Sequence, residues 1–486
     1  ANVGGLMPTI LGANSVRDTG YNVDNSLRLN DGDSPVLSKT ASGAGNRRTW
    51  TISWWFKRST LGTMTFFWQD GASTDHETKI AFDSSNRLFV YDFDGSSFNM
   101  LLKTNRIFRD DTGWYHAVIA VDTTDSTSSN RIKMYINGVQ ETSFETASYP
   151  SQNHETEWNS ANELRIGKDS TGDHFDGYIT EIVNIDGSQL AQTSFGEFDE
   201  DSPTHWKPID VSGLTFGTNG FHLDFEDSSA LGNDVSGNNN DFSPTNLAAL
   251  DQTTDTCTNN FCTFTTTNPS ATNFTLSEGN CRVDKSGSGA FGLYGTNIML
   301  SKGKWYFEVK FTADAGSDRT RAGVAAFESV TGTSTIQGDF SGVEFTCTTS
   351  GRFNIVTSGS NNEIDGFNSY STGDIIQFAL DMDNQRLYIG INGNFFNYSS
   401  SNTGGDPASG SGFVTNSTTV LAAPVTPYAG HSVGVSGTST LEFNFGNPTF
   451  SISSGNSDSE GFGNFEFSVP SGYFAICTKN LAEYGG

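Results

Sequence analysis

Three carboxylates sit close together in one glycine-containing loop. The run Asp169-Ser170-Thr171-Gly172-Asp173, followed by Asp176, places them there. Loop aspartates with backbone carbonyls are the oxygen donors that Ca2+ takes, six to eight at a time. Asp92-Phe93-Asp94 and the stretch Asp122 to Asp125 are alternatives, and no EF-hand spacing occurs. Aspartate also builds polar turns that need no metal. Both readings of Asp169, Asp173 and Asp176 therefore stand, and calcium is the one cofactor that they suggest. A second kind of chemistry lies in aromatic side chains near amides and carboxylates. Such pairs can hold a sugar, with the ring on the aromatic face and the hydroxyls on the polar groups. Trp68, Tyr91, Phe93, Trp158, Tyr370 and Tyr398 are the ligand-binding candidates of this type, whereas Trp54 and Trp305 read as core.

No residue set points to catalysis. The seven histidines are scattered, and no Gly-x-Ser-x-Gly elbow or phosphate-binding glycine loop is present. Glycosidases need two carboxyl groups roughly 5–10 Å apart. Glu197-Phe198-Asp199-Glu200-Asp201 comes nearest, but its spacing does not put a pair on one strand face, and it reads as a solvated acidic loop. Cys257, Cys262, Cys281, Cys347 and Cys477 lack zinc spacing. Buried thiols are the favoured state, with a short Cys257–Cys262 bridge as the alternative.

The elements that must position these residues are strands. Short alternating segments bounded by Gly, Asn, Asp or Ser recur, such as Thr51–Phe56, Trp114–Val121 and Trp305–Phe311. Met134-Tyr135-Ile136-Asn137-Gly138-Val139 and Leu387 to Phe396, with Asn392-Gly393, each carry the strongest short hairpin signal. The chain reads as all-β: two antiparallel β-sandwiches joined by an irregular connector. Residues 1–20 are a glycine-rich arm, 21–195 a first sandwich, 196–272 the connector and 273–486 a second sandwich.

Composition narrows the function classes. The 486 residues carry 55 Asp plus Glu against 27 Lys plus Arg, a net charge of −28. That field repels nucleic acid and anionic membranes, so neither is an expected partner. With 38 Phe, 14 Tyr and 8 Trp there are rings enough for ordinary cores, so the chain is not a disordered one. No apolar run reaches 18 residues, and the first residues lack the basic and apolar regions of a signal peptide.

Six pieces in order resemble the laminin-G-like, concanavalin A-like jelly roll. They are Asn25–Leu29, Trp50–Lys57, Gly113–Val118, Lys133–Gly138, Leu164–Gly167 and Phe175–Ile182. The second half resembles a SPRY domain, also a bent β-sandwich. The carrying segments are Gly303–Val309, Arg321–Ala325, Gly373–Asp383, Asn392-Gly393, Phe443–Phe450 and Pro470–Tyr473. Together with Gly45–Trp50, Gly220–Phe225 and Ser236–Phe242, this combination resembles virion structural proteins of tailed bacteriophages, marine ones especially. The resemblance implies a non-enzymatic tail fibre, or a capsid fibre or decoration, on the outside of the virion. Its implied partners are other virion proteins, sister chains in a homotrimer, and a glycan or protein of the host surface. SPRY domains bind protein segments through variable loops. The alternatives are a glycan depolymerase on the same jelly roll, which needs a convergent acid pair, and a secreted adhesin, which needs a leader and an anchor.

Overall fold

The computed structural model describes residues 20–71, 73, 75–266, 274–285, 292–313, 320–326, 342–346, 352–357, 360–365, 371–397, 404–414, 420–422, 424–431 and 438–485. The expected arm lies outside these residues apart from Gly20. The chain divides into two units. Thr19–Thr258 forms one, and the second is formed by Asn259–Gly486.

Strands of the first unit, in chain order, are β1 (Ser26–Leu29), β2 (Val36–Thr40), β3 (Thr49–Arg58), β4 (Met64–Asp70), β5 (His76–Phe82), β6 (Leu88–Asp94), β7 (Phe98–Thr104), β8 (Tyr115–Asp122), β9 (Ile132–Ile136), β10 (Val139–Gln140), β11 (Phe144–Ser148), β12 (Glu163–Ile166) and β13 (Gly177–Asp186). They continue with β14 (Gly196–Phe198), β15 (Trp206–Pro208), β16 (Phe221–Leu223), β17 (Ser243–Thr245) and β18 (Gln252–Thr253). Two eight-stranded antiparallel sheets result. Sheet A has the order β10-β9-β8-β3-β13-β1-β18, with β16 also on β13, and sheet B the order β11-β7-β6-β5-β4-β12-β2-β17. Alternation sends Trp50, Ile52, Trp54 and Phe56 of β3 into the core between the sheets, and Ser53, Trp55 and Lys57 to the outer face of sheet A. Each fully buried large apolar side chain adds about 1.5–3 kcal/mol.

The expected hairpins form as the residues dictate. Asn137 (φ 47°) and Gly138 (φ 77°) both take positive φ, and so do Asn392 (φ 48°) and Gly393 (φ 86°). Gly138 is also pressed against an indole, since a Cβ there would meet Trp206 Cε3 at 2.1 Å.

Most of the segment expected as a connector belongs instead to the first unit. β16 pairs with β13, β17 with β2 and β18 with β1. The two-stranded ribbon β14–β15 and residues up to Phe216 cover the outer face of sheet A, where Val118, Ala120, Val183 and Ile185 meet Phe195, Val211 and Phe216. Next to this cover a buried ion pair closes the face. Lys57 Nζ meets Asp255 Oδ2 at 2.8 Å, with side-chain exposures of 1% and 0%. Trp114 Nε1 donates to Asp255 Oδ1 at 3.0 Å, and the ammonium lies 5.2 Å from the centre of the Tyr178 ring.

In the second unit the strands are β19 (Phe274–Ser277), β20 (Arg282–Lys285), β21 (Gly292–Gly295), β22 (Lys304–Ala313), β23 (Thr320–Ala326), β24 (Gly342–Thr346), β25 (Arg352–Thr357), β26 (Ser360–Asp365), β27 (Ile375–Asp381), β28 (Arg386–Ile391), β29 (Asn394–Phe395), β30 (Val425–His431), β31 (Ser439–Asn444) and β32 (Phe474–Ala475), followed by helix α1 (Thr478–Tyr484). One sheet runs β19-β20-β31-β22-β27-β28-β29, with β32 parallel to β22, and the other β21-β30-β23-β24-β25-β26. Trp305, Phe307, Val309 and Phe311 of β22 face the core. On the opposite face Glu308 accepts from Tyr306 Oη (2.9 Å), Asn444 Nδ2 (3.2 Å) and the backbone N–H groups of Glu466 (3.0 Å) and Phe467 (2.8 Å). Burial raises its carboxyl pKa, and these four donors work against that rise. The carboxylate thereby ties the Glu466–Phe467 segment to the sheet.

Removing only one partner of a buried pair leaves an uncompensated charge, at about 3–5 kcal/mol. Lys57→Met is therefore expected to lower the stability of the first unit by that amount in urea unfolding, and Lys57→Met/Asp255→Leu to recover most of it. Tryptophan fluorescence is a suitable readout, because every tryptophan except Trp305 lies in this unit. A single variant within about 1 kcal/mol of the unmutated chain would contradict the assignment.

Candidate functional site

The outer face of sheet B carries a row of large polar and aromatic side chains. Leu88 and Val90 of β6 point into the core, which turns Phe89, Tyr91 and Phe93 outward. The register aligns Arg165 (β12), Trp68 (β4), Lys79 (β5), Tyr91 (β6) and Leu101 (β7) side by side across five strands. A bulge between Thr65 and Phe67 lets Phe66 and Phe67 both join the core and sends Trp68 to this face.

Glu77 organises the row. One carboxylate oxygen accepts Trp68 Nε1–H and the other accepts Tyr91 Oη–H. Burial first, and then this bond to a carboxylate, push the Tyr91 phenol far above its usual range, so it stays a protonated donor. The Arg165 guanidinium lies 4.7 Å from the Trp68 ring centre, and its Nη2 donates to Glu163 at 2.6 Å. Beyond Tyr91 the rings continue as a ladder. Phe89 stacks on Tyr91 at 5.7 Å, and Phe98 packs against Tyr91 at 5.1 Å and Phe93 at 5.0 Å. Phe98 is 50% exposed. Sequence reading missed Phe89 and Phe98. The Phe-x-Tyr-x-Phe alternation at 89–93 was the available signal, because period two puts all three rings on one face.

Of the two readings of Asp169, Asp173 and Asp176, the described geometry is that of a polar turn closed on a lysine. Asp169 is held by Lys79 Nζ, and its Oδ1 accepts the N–H groups of Thr171 (2.8 Å), Gly172 (2.8 Å) and Asp173 (3.0 Å). Burial opposes its ionisation, but the bond and charge of Lys79 outweigh that and hold its pKa below the usual value. Asp173 lies 3.7 Å from the same ammonium. Asp176 is 3% exposed and close enough to Arg58 for its charge to bear on that guanidinium. Lys79 thus takes the position that a cation would need. Among the described residues, no group of three or more His, Cys, Asp or Glu is placed to hold a metal ion. The alternatives are also in use: Asp92 accepts from His154 Nε2 (2.8 Å) and Thr78 (2.6 Å), Asp94 caps its own turn at Ser96 and Ser97, and Asp122 does so at Thr124.

Of the expected ligand-binding aromatics, the structure brings Trp68 and Tyr91 together around Glu77 and removes Trp158. Trp158 is fully buried between the sheets, stacked on Trp50 at 5.1 Å, with Nε1 on Asn184 Oδ1 at 3.0 Å. Trp68 is itself only 6% exposed, so Tyr91 and the Phe rings offer the accessible surface. Tyr370 and Tyr398 lie outside the described residues. In the acidic loop, Lys207 bridges Asp199 (3.0 Å) and Glu197 (3.6 Å). Cys257, Cys262, Cys281 and Cys477 are free thiols, and burial pushes Cys477 up to about 12. Cys347 lies outside the described residues.

One serine–histidine contact invites a catalytic reading and fails it on proton count. His116 Nε2 lies 2.8 Å from Ser53 Oγ, and its Nδ1 accepts Trp206 Nε1–H at 2.9 Å. An indole N–H can only donate, so Nδ1 carries no proton and Nε2 carries one. That Nε2–H donates to Ser53 and cannot take its proton, as a general base must. The ring stacks on Trp55 at 4.6 Å, while Trp206 meets its edge through the hydrogen bond to Nδ1. Burial lowers its pKa to about 3.

One family comparison agrees with the jelly-roll fold of the first unit. Residues 30–187 match the laminin G family described as the Concanavalin A-like lectin/glucanases superfamily. A search of curated proteins returns no match. Among solved structures, the chain is similar to the SPRY domain of human HERC1 at 15% identity, over 37% of this chain and 96% of that one, with a TM-score of 0.28. It is similar to domains LG4-5 of the mouse laminin alpha1 chain at 11% identity, over 85% and 84%, with a TM-score of 0.28. It is also similar to a putative carbohydrate binding protein from Bacteroides ovatus at 12% identity, over 47% and 61%, with a TM-score of 0.29.

His116 provides a pH test. Its folded pKa lies below the unfolded value of 6.5. Between the two the unfolded chain binds the extra proton, so stability falls as pH drops from about 6.5 toward 3, by up to about 1.4 kcal/mol per pH unit. The imidazole resonances are expected to stay fixed between about pH 5 and 8, and His116→Gln to flatten this part of the stability profile. A ring that titrates in that window contradicts the tautomer assignment.

Proposed function

We propose that this protein is a non-enzymatic adhesion protein of a tailed-phage virion and that its first unit binds host-surface glycan through the outer face of sheet B. The observation that carries the binding reading is the ring ladder of the half-buried Phe89, Tyr91 and Phe93 with the exposed Phe98, beside the bonded Trp68–Glu77–Tyr91 group. Flat apolar rings next to anchored charges suit the C–H faces and hydroxyls of a sugar chain. Every anchored group already has a partner, so the face is rigid before the ligand arrives, which lowers the ordering cost of binding. Binding without turnover is supported by the Lys207-bridged acids of the 197–201 loop and by a His116 that cannot act as a base for Ser53.

The virion setting rests on the sequence combination of a laminin-G-like and a SPRY-like sandwich. On this reading the chain sits on the tail or capsid exterior as a homotrimer among other virion proteins, with residues 1–20 as the anchor. The same setting predicts that gradient-purified phage particles contain the chain by mass spectrometry.

Glycan-array binding of the full chain, followed by titration of the best ligand, tests the site. Phe98→Ala removes a half-exposed ring with little cost to the core. It is expected to weaken binding at least about tenfold, or 1.4 kcal/mol, while the unfolding midpoint stays within error. Unchanged affinity in Phe98→Ala and Tyr91→Phe/Phe98→Ala would move the site elsewhere, and no glycan bound at all would overturn the adhesion reading.

A further inference from the structure

The cations on the outer face of sheet B already have partners. Strands β4 to β7 and β12 carry three Lys or Arg residues, namely Lys79, Lys103 and Arg165. Each meets a carboxylate. Lys79 is held by Asp169, with Asp173 at 3.7 Å. Lys103 Nζ lies 2.8 Å from Glu145, and Arg165 Nη2 lies 2.6 Å from Glu163. Arg87, just before β6, shares Glu145 at 3.3 Å.

Glu77 differs from these acids. Alternation along β5 puts it on the same face as Lys79, yet its two partners are neutral donors. Trp68 Nε1–H bonds one oxygen and Tyr91 Oη–H the other. A carboxylate offers about four acceptor sites, so two remain after these bonds. The register sets Glu77 directly opposite Phe93 on β6, and Phe93 packs at 5.0 Å against Phe98, the exposed ring of the ladder. Residues opposite each other on one sheet face are close enough to share a ligand. On the other side Asp70 of β4 stands opposite Glu77, which adds a second acid to the same spot.

We propose that this face selects uncharged sugars and that Glu77 is its specificity-determining residue. The two open acceptor sites of Glu77 take hydroxyl hydrogens of a sugar ring that lies against Phe93 and Phe98. A sulfate or carboxylate on that sugar would find no unpaired cation on these strands and would face Glu77 and Asp70, in a chain of net charge −28. The inference rests on the adhesion reading for its class of ligand. It adds to that reading a named acceptor and a preference against acidic sugars.

The test begins with an array of length-matched neutral, sulfated and uronate-containing oligosaccharides. Calorimetry then titrates the full chain, Glu77→Gln and Phe98→Ala with the strongest neutral oligosaccharide of the array and with its sulfated counterpart. In the unmutated chain the neutral probe is expected to bind at least about tenfold more tightly than the sulfated one. Added salt leaves the neutral probe unchanged and narrows the gap by screening the repulsion. Glu77→Gln keeps the size of the side chain but exchanges one acceptor for a donor and removes the charge. It is expected to weaken the neutral probe at least about tenfold and to bring the two probes closer together, with circular dichroism unchanged. A Glu77 that only holds Trp68 and Tyr91 in place would lower both probes alike, and an unchanged ratio therefore overturns its assignment. Acidic members of the array bound as tightly as neutral ones overturn the preference, while loss of binding in Phe98→Ala would leave the sheet-face site standing. If no array glycan binds the unmutated chain, the adhesion reading itself falls.

Discussion

The Lys57–Asp255 ion pair is the constraint on which the first unit depends. A lysine in the middle strand of a sheet, on a face closed to water, is stable only with an opposite charge brought to it. The partner comes from a residue 198 positions later in the chain. To deliver it, the chain must run back along the sandwich, adding β16, β17 and β18 to existing strands and roofing sheet A with β14–β15 on the way. The same route brings Trp206 onto His116 and against Gly138, so the cover, the hairpin and the buried imidazole lock one another. A charge that is costly to bury alone thus specifies where a long, weakly patterned segment goes.

With the outer face of sheet A covered, the proposed ligand face of the first unit is the outer side of sheet B. Its outward side chains are not loose surface groups. Trp68, Glu77 and Tyr91 share hydrogen bonds, Lys79 is engaged by the Asp169 loop, and Arg165 lies over the Trp68 ring. The acidic loop that invites a metal reading therefore acts as a clamp on a lysine, and the loop is ordered by its own N–H groups. The second unit uses the same principle with the opposite charge. Glu308, buried on the outer face of its sheet, collects donors from a neighbouring strand and from the Glu466–Phe467 segment and thereby fixes that segment.

Much of the fold was legible because it is local. Period-two alternation marks strands such as Thr49–Arg58 and Lys304–Ala313, and Asn-Gly marks two turns whose positive φ values those residues adopt readily. The burial of Trp54 and Trp305 follows from the same alternation. Little of the connector was legible. Phe221-His222-Leu223-Asp224-Phe225 reads as one strand, and β16 forms there, but β17 and β18 are two or three residues long, too short for any period, and their partners lie far away in the chain, as Thr253 does on Ser26.

The site divides along the same line. Residue types alone picked out Trp68, Tyr91, Asp169 and Asp173, and the structure brings all four around Glu77 and Lys79. Types alone could not place Trp158, whose exposure depends on which sheet lies over it, nor show that an ammonium rather than a metal faces Asp169. The sequence determined which segments become strands and hairpins, because those preferences act between near neighbours. The tertiary structure decided which face is covered, which carboxylate meets which cation and which rings stay exposed, because each of these is settled by groups that meet only after distant strands have paired.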